Sequence, residues 1–404
     1  MKIKLFFIKI LMFSLPIALL SCPSKKDDNT ALLLLLLLFQ IQNETCTNSF
    51  YTDPAAAPAN RVDVVITGDG YTSADLTKFE NDAQNMLRNF VNTEPFKEYC
   101  NYFNFHLVKA ASVQSGADHP EKNIYVDTLF DSTYNCQSTQ RLVCVSNSKV
   151  YNYLNNNTKL NPLNQQDIIL VIVNDLEYGG SGGALSVASA NSSSAEIAVH
   201  EIGHSFGLLA DEYDYGTCST VTEPTQVNVT IETNPALIKW NDWISPGTAI
   251  PTTSAIDALP GLYAGAKYCP SGVYRPTYNS KMRNLARPFE QINEEQLVKR
   301  IYNFVSPVDA VIPGTASIAL GSGNTQEFKV SVMNPKTNPI QINWYLDNIL
   351  QKDSSNLKQL TLSGSTLSSG AHILRVDVSD TTFKVKKDPS KVLQDSFTWN
   401  IQVN

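Results

Sequence analysis

Short apolar blocks alternate with polar ones from about residue 60 onwards, and their spacing predicts strands and helices in turn. Val62 to Ile66 predict a buried strand that ends in a turn at residues 68–70. Ser73 is a suitable N-cap for a following helix. Residues 103–108 and 167–173 predict two further strands, the second buried on both faces. The apolar positions on one side of the helix are Leu76, Phe79, Ala83, Met86, Leu87 and Phe90. This order predicts an α/β (α+β) domain.

The pattern changes at about residue 308, where short alternating segments rich in β-forming residues begin. Gly, Asn, Ser and Asp separate these segments. We therefore predict an all-β, immunoglobulin-like sandwich over residues 308–404. It contains no cysteine, so Trp344 is expected to fill the core in place of an inter-sheet disulfide. The predicted strands are residues 315–320, 325–332, 340–346, 357–363, 371–378 and 396–403.

The first residues have the pattern of an export signal. Three lysines precede an apolar stretch from Ile10 to Leu20, and Cys22 follows. We interpret residues 1–21 as a lipoprotein signal peptide and Cys22 as the lipidated N-terminus, with an ordinary secretory signal as the alternative. Residues 22–58 then form a tether that includes the run Leu32–Leu38. This run is too short to span a bilayer, because a spanning helix needs about 20 apolar residues. The predicted location is outside the cytoplasm, on a bacterial membrane at the periplasmic face or the cell surface.

Composition and charge narrow the possible functions. Apolar residues make up 43% and charged residues 17% of the 404, which is typical of a globular protein. A formal net charge of −7 with no long basic run argues against nucleic-acid binding. Beyond Cys22 six cysteines remain, and an oxidising compartment would allow three disulfides. We expect the pairs Cys136–Cys144, Cys218–Cys269 and Cys46–Cys100.

The segment that carries chemistry is His200-Glu201-Ile-Gly-His204. On a helix, residues i and i+4 lie on one face, so both imidazoles can reach one zinc ion at about 2.0–2.1 Å. Glu201 is then beside the metal, where it can act as general base and general acid on a zinc-activated water.

A catalytic zinc usually has three protein ligands, so a third ligand is needed. Gly207 is suited to end the helix in a left-handed conformation and to return the chain towards the metal. We predict Asp211 as the third ligand, with Glu212 as the alternative. The remaining interpretation is that Asp211, Glu212 and Asp214 form a polar turn or a weak calcium site.

These residues resemble the IgA peptidase metallopeptidase family of secreted bacterial zinc endopeptidases. The resemblance rests on HEIGHSFGLLADEY at residues 200–213 and on VVITGDGYT at 64–72. Further blocks are EPFKEY at 94–99, YFN at 102–104, SGAD at 115–118, YRP at 274–276 and Met282-Arg283. It covers about residues 60–305, and it implies His200, His204 and Asp211 as zinc ligands and Glu201 as the catalytic acid/base.

The family in turn resembles the metzincins, with one departure. The third histidine of the metzincin motif would fall on Ala210, which cannot bind zinc, so Asp211 must replace it. Met282 resembles the methionine turn below the metzincin zinc, and plain core packing is the alternative. The resemblance thus implies a zincin-like domain over residues 59–307.

Weaker signals surround the motif. The glycine-rich stretch before the zinc helix predicts an edge strand that binds substrate through Gly182, Gly183 and Ala184, or else a flexible loop. Five residues are candidates for stabilising an oxyanion, although each taken singly is better explained by packing. They are Tyr213, Tyr215, Tyr274, Arg275 and Arg283. His106, His119 and His372 are interpreted as structural.

Together these features predict a lipid-anchored zinc endopeptidase that cleaves a protein or peptide substrate and is a monomer. The main competing hypothesis is a non-catalytic surface adhesin on the same scaffold. If the scaffold had degenerated into an adhesin, Glu201 would be expected to be replaced before the histidines and Asp211. The reason is that Glu201 serves chemistry and not folding. A calcium-stapled structural lipoprotein would need oxygen ligands, which two histidines on one helix face do not supply.

Overall fold

The computed structural model describes residues 49–51, 53–160, 166–215, 217–219 and 222–404. The predicted signal peptide, Cys22, the run Leu32–Leu38 and Cys46 lie outside these ranges. No helix in the described ranges combines the length and the apolar character that a membrane crossing requires.

The first part of the chain is built on a five-stranded sheet with the order β2-β1-β5-β7-β6. Neighbouring strands are parallel except at the edge, where β6 runs antiparallel to β7. Strands β3 and β4 form a small hairpin, and β8 and β9 form another. The strands are β1 (Val62–Asp69), β2 (Phe103–Val108), β3 (Thr133–Tyr134), β4 (Val143–Cys144), β5 (Ile168–Val173), β6 (Gly180–Gly182), β7 (Ser186–Ser189), β8 (Tyr263–Ala266) and β9 (Cys269–Arg275).

Helices cover both faces of this sheet. They are α1 (Leu76–Asn92), α2 (Asn147–Asn157), α3 (Ser194–Ser205) and α4 (Gln291–Tyr302). Strand β5 shows why both faces are buried: Ile168, Leu170 and Ile172 point into the core with α1, α3 and α4. The alternate residues Ile169, Val171 and Val173 point into the core with α2. The predicted burial of this strand on both faces is therefore confirmed.

The start of α1 differs from the sequence prediction. Ser73 begins a 3₁₀ turn, Ser73–Asp75, and the α-helix starts only at Leu76. Thr72 and Asp75 form a capping box, in which the Thr72 backbone N–H donates to Asp75 Oδ2 at 3.0 Å. The capping box forms because Asp75 is three residues after Thr72. This spacing was the signal in the sequence that the prediction of Ser73 as N-cap did not use.

The C-terminal part consists of two sheets that share one apolar core. One sheet has the order β10-β12-β15 and the other β11-β17-β16-β13-β14. Phe328 from the first sheet packs on Trp399 of the second with ring centroids 5.1 Å apart, and Trp344 stacks on Trp399 at 5.9 Å. Two strands, β10 and β14, were not predicted. The strands are β10 (Val308–Ile312), β11 (Ser317–Leu320), β12 (Thr325–Val332), β13 (Gln341–Leu346), β14 (Ile349–Leu350), β15 (Gln359–Ser363), β16 (Gly370–Ser379) and β17 (Gln394–Val403).

Polar and apolar contacts join the two parts, and all described residues fall within one compact unit, Thr45–Asn404. Buried Asp380 accepts hydrogen bonds from the hydroxyls of Tyr99 at 2.6 Å and Tyr302 at 2.8 Å. Met333 and Leu393, from the C-terminal part, belong to the apolar cluster that underlies the five-stranded sheet. The C-terminal part therefore completes the core of the first.

Two of the expected disulfides lie in the described residues, and both form as expected. Cys136 pairs with Cys144 and Cys218 with Cys269. Cys100 is also disulfide-bonded, and Cys46, its expected partner, lies outside the described residues.

Candidate metal centre and catalytic cleft

Helix α3 places the two histidines of the motif side by side. Their Nε2 atoms are 3.2 Å apart. Each ring is oriented by a backbone carbonyl at its other nitrogen: His200 Nδ1 donates to Lys281 O (2.9 Å), and His204 Nδ1 donates to Leu209 O (2.8 Å). Carbonyl partners of this kind leave both Nε2 atoms free to bind a metal.

The helix ends differently from the sequence prediction. Leu208, with φ of 56°, takes the left-handed conformation that was expected at Gly207. The Leu208 and Leu209 N–H groups donate to His204 O and Gly203 O, both at 3.0 Å, which satisfies carbonyls at the helix end. Gly207 serves packing instead, because an added Cβ would lie 2.5 Å from Gly203 O and 2.8 Å from Leu297 Cδ2.

The turn after α3 brings Asp211 to the two imidazoles. Its Oδ1 lies 3.2 Å from His200 Nε2 and 3.2 Å from His204 Nε2. The other oxygen, Oδ2, accepts hydrogen bonds from the hydroxyls of Tyr213 (2.9 Å) and Tyr268 (2.7 Å). Oδ1 is buried and accepts no well-directed hydrogen bond. The two tyrosines therefore hold the carboxylate with one oxygen aimed between the histidines.

These three atoms fit a metal ion. His200 Nε2, His204 Nε2 and Asp211 Oδ1 form a triangle with sides of 3.2 Å. Donor atoms about 2.0–2.1 Å from a tetrahedral divalent ion are about 3.3–3.4 Å apart. A Glu201 oxygen is also within 4.8 Å of the histidine nitrogens, but Asp211 is closer, so we take Asp211 as the better third donor.

The alternative ligand, Glu212, is fully used elsewhere. It is completely buried, and its carboxylate accepts hydrogen bonds from Asn228 and Asn293 (both 2.9 Å) and from Ser280 (2.7 Å). Burial raises the pKa of Glu212, and these three donors act in the opposite direction. Glu212 thus ties α4 to the loops around the site and has no free oxygen for a metal.

Met282 lies directly below α3. Its Sδ would be only 2.7 Å from a Cβ added at Gly203, the residue before His204. Its carbonyl accepts the Glu212 N–H at 2.8 Å, and the preceding carbonyl, of Lys281, orients His200. The turn around Met282 therefore positions both the helix and one candidate ligand.

The side chain of Glu201 projects from α3 towards the edge strand β6. Its Oε1 would be 2.7 Å from a Cβ at Gly180, and its Oε2 would be 2.9 Å from a Cβ at Gly182. Burial raises the pKa of Glu201, while positive charge on His200 and His204 lowers it. A carboxylate in this setting is placed to exchange a proton with a molecule in front of the histidines.

The edge strand is shorter than the sequence predicts. Gly182 is the last residue of β6, while Gly183 and Ala184 form an exposed bend before β7. A Cβ at Gly182 would lie 2.6 Å from His204 Cβ, whereas one at Gly183 would meet no atom within 4 Å. Gly182 is therefore in close contact with the histidine site, whereas Gly183 is not.

A cleft of about 870 Å³ opens in front of these groups. Its walls include β6, His200, Glu201, His204 and Asp211, together with Arg141, Tyr178, Tyr213, Tyr268 and Arg283. A second groove of about 480 Å³ shares Gly182 and Gly183 with it and continues past Ala184. The end of β6 thus borders both the cleft and the second groove.

The candidates for oxyanion stabilisation fall into two groups. Arg275 is buried and donates to the carbonyls of Ala264, Gly265 and Tyr278, so it holds a loop. The cleft is lined by Tyr213, Tyr215 and Arg283 but not by Tyr274 or Arg275.

The histidines interpreted as structural each contact a carboxylate. His106 contacts Asp63 (2.6 Å), His119 contacts Asp175 (2.8 Å) and His372 contacts Asp347 (2.7 Å). None of these histidines lines the cleft.

Sequence reasoning missed several residues of the cleft, among them Arg141 and Tyr268. Tyr268 hydrogen-bonds Asp211, and Arg141 hydrogen-bonds Tyr213 at 3.0 Å. Neither residue belongs to a periodic pattern or a motif, and both come from loops distant in sequence. Only the folded arrangement identifies them.

A mixed α/β domain that sets two histidines, a glutamate and an aspartate beside an open sheet edge is the arrangement of a metallopeptidase. The family model of IgA Peptidase M64 matches residues 53–259, about half of the chain, and the chain therefore belongs to this family. Curated proteins provide no match.

Solved structures resemble this chain only in part. A quinoprotein alcohol dehydrogenase-like protein from Bacteroides thetaiotaomicron is 14% identical over 24% of this chain and 20% of its own, with a TM-score of 0.18. Fibronectin(III)-like modules of CbhA from Clostridium thermocellum are 9% identical over 24% of this chain and 94% of their own, with a TM-score of 0.17. Metalloproteinase-II from Bacteroides fragilis is 12% identical over 43% of this chain and 49% of its own, with a TM-score of 0.21.

Proposed function

We propose that this protein is a zinc-dependent endopeptidase whose metal is held by His200, His204 and Asp211. The observation that carries the proposal is the triangle of donor atoms with 3.2 Å sides, next to the buried carboxylate of Glu201. Two imidazole nitrogens and one carboxylate oxygen favour zinc over calcium or magnesium, which prefer oxygen ligands alone. Three protein ligands leave a position open for substrate or water.

Bound zinc would polarise the scissile carbonyl and make a water molecule easier to deprotonate. Glu201 takes the proton of that water and later delivers it to the leaving amine. Burial, which raises the pKa of Glu201, makes its carboxylate a stronger base for the first of these steps. Tyr213 and Tyr268 keep Asp211 in its orientation through Oδ2.

Substrate binding is proposed along β6. The strand lies at the edge of the sheet and ends at Gly182, and a peptide can add to such an edge by main-chain hydrogen bonds. The bare glycine allows the peptide backbone to approach Glu201 closely. Leu142 already bridges to Gly180, and the Ser181 hydroxyl donates to Val143 O at 2.7 Å, so the part of the edge left for a peptide begins at Gly182.

The wider architecture is also a proposal. We assign a zincin-like catalytic domain to residues 59–307 and an immunoglobulin-like sandwich to residues 308–404. Export and lipid anchoring through Cys22 rest on the N-terminal sequence pattern, and disulfides at Cys136–Cys144 and Cys218–Cys269 suit an oxidising compartment. The protein would then act as a monomer on proteins outside the cytoplasm.

The substitution Glu201→Gln tests the proposal. It preserves the shape of the side chain and removes the base, so folding and zinc content should match the parent. Peptidase activity on a mixed peptide library should fall by about 10² to 10⁴-fold, the usual effect of a positioned acid/base. Glu80→Gln, on the exposed side of α1 and outside the cleft, is the matched control.

Two results would refute the enzyme proposal. One is a zinc-loaded parent that cleaves no peptide in the library, as the adhesin hypothesis expects. The other is a Glu201→Gln protein that cleaves as fast as the parent, which would exclude the mechanism even with zinc present.

A further inference from the structure

One cation in the cleft is held by aromatic rings and not by an acid. The Arg141 guanidinium lies 5.2 Å from the ring centroid of Tyr213 and 5.4 Å from that of Tyr215. These two rings stack on each other at 4.5 Å. Arg141 Nη2 donates to the Tyr213 hydroxyl at 3.0 Å. The rings and the hydroxyl therefore fix the plane of the guanidinium.

Arg141 differs in this respect from its neighbour Arg283. Arg283 also lines the cleft, but it lies 3.4 Å from the carboxylate of Asp214. Arg141 forms no ion pair with any carboxylate of the described residues, and its one side-chain hydrogen bond there goes to Tyr213. An arginine has five N–H donors, so most of those on Arg141 are unused.

The position of Arg141 relates it to the metal centre. Its guanidinium is linked to Asp211 through a single hydroxyl, since Tyr213 accepts from Arg141 and donates to Asp211 at 2.9 Å. Its carbonyl accepts the Gly180 N–H at 3.3 Å, which places its backbone beside β6. A peptide that pairs with the free end of β6 at Gly182, with its scissile bond at the metal centre, would therefore bring a neighbouring side chain to Arg141 in the same cleft.

We propose that Arg141 determines substrate specificity by binding a carboxylate side chain, Asp or Glu, within about two residues of the scissile bond. This inference rests on the proposed peptidase function. A planar guanidinium with several free N–H groups matches a carboxylate in a bidentate pair, and its preorganisation by two rings reduces the entropy lost on binding. The partly buried setting strengthens such a pair relative to one in open solvent.

The first arm of the test measures binding and does not depend on turnover. Zinc-loaded Glu201→Gln protein is titrated with fluorescent peptides. Each peptide carries Glu, Gln or Lys at one of the positions near the middle of its sequence. The Glu peptide should bind at least tenfold more tightly than its Gln counterpart at one position. Adding Arg141→Gln should remove that preference, while Arg141→Lys should retain part of it because the charge remains. Arg287→Gln removes the same charge outside the cleft and should retain the full preference.

The second arm maps cleavage sites of the active protein in a peptide library. Acidic residues should be enriched next to the sites cut by the parent, and Arg141→Gln should abolish the enrichment. The quantity compared is the ratio of kcat/KM for the Glu and Gln peptides, so a general loss of activity does not affect it.

The outcomes separate the two proposals. A parent that cleaves nothing refutes the peptidase function, and the binding arm still decides the role of Arg141. An equal loss for Glu and Gln peptides, or a loss of zinc affinity in Arg141→Gln, would overturn the specificity role and assign Arg141 to positioning of Tyr213 and Asp211. Absence of any preference for Glu in the parent would overturn it as well.

Discussion

The substitution Gly182→Ala tests how closely the edge strand approaches the metal centre. An alanine Cβ at this position would lie 2.6 Å from His204 Cβ, 3.0 Å from His204 Cδ2 and 2.9 Å from Glu201 Oε2. Carbon atoms in van der Waals contact are about 3.5–4.0 Å apart. Either β6 or the two side chains must therefore move by about 1 Å.

The size of the effect follows from that displacement. Forcing one methyl group into a packed site costs about 1–3 kcal/mol of the free energy of unfolding. A misplacement of about 1 Å between catalytic groups costs about 100-fold in activity. Because His204 is displaced as well as Glu201, we also expect Gly182→Ala to bind zinc more weakly than the parent.

The matched control is the next glycine. Gly183→Ala adds the same methyl group, which would meet no atom within 4 Å, and neither glycine has a positive φ. The assays are urea unfolding, zinc affinity by competition with a chelator, and kcat/KM on a cleaved peptide. Gly183→Ala should match the parent in unfolding and zinc affinity. A Gly182→Ala protein with parental zinc affinity and kcat/KM would show that β6 does not constrain the site.

Two further predictions concern acidic residues. Asp211→Ala should reduce zinc content to less than about a tenth of the parent value, because a three-ligand site loses one ligand, whereas Glu212→Gln should keep its zinc. Zinc content is measured by elemental analysis. If Glu212→Gln is the variant that loses zinc, the third ligand is Glu212 and not Asp211. Asp380→Ala should lower the free energy of unfolding by about 3 kcal/mol, because two buried tyrosine hydroxyls lose their acceptor between the two parts of the chain. Asp377→Ala, which loses only an exposed pair, should cost less than about 1 kcal/mol in the same urea titration.

Features that depend on neighbours in sequence were predictable from the sequence. Residues 200 and 204 share a helix face because their spacing matches one helical turn, and no long-range contact is needed for that. The strand at residues 168–173 is apolar at every position, and alternate side chains of a strand point to opposite faces. The short spacing between Cys136 and Cys144 likewise favoured a local disulfide, which forms.

The tertiary structure decided which carboxylate joins the histidines. Asp211 and Glu212 are adjacent and chemically alike, so spacing alone left the choice open. Contacts from distant segments separate them: Tyr268 holds Asp211 towards the histidines, while Ser280 and Asn293 hold Glu212 away. The turn that leads to them depends on a left-handed Leu208, a conformation that sequence reasoning assigned to the glycine before it.

The composition of the cleft was likewise decided by tertiary structure. Arg141 reaches Tyr213, 72 residues later in the chain, and Tyr268 reaches Asp211 across 57 residues. Such pairs leave no periodic signal, because the distance between two side chains from separate loops depends on how the whole sheet and its helices pack. The sequence alone determined the chemistry available on α3, and the packing of the loops around it determined which further residues share the site.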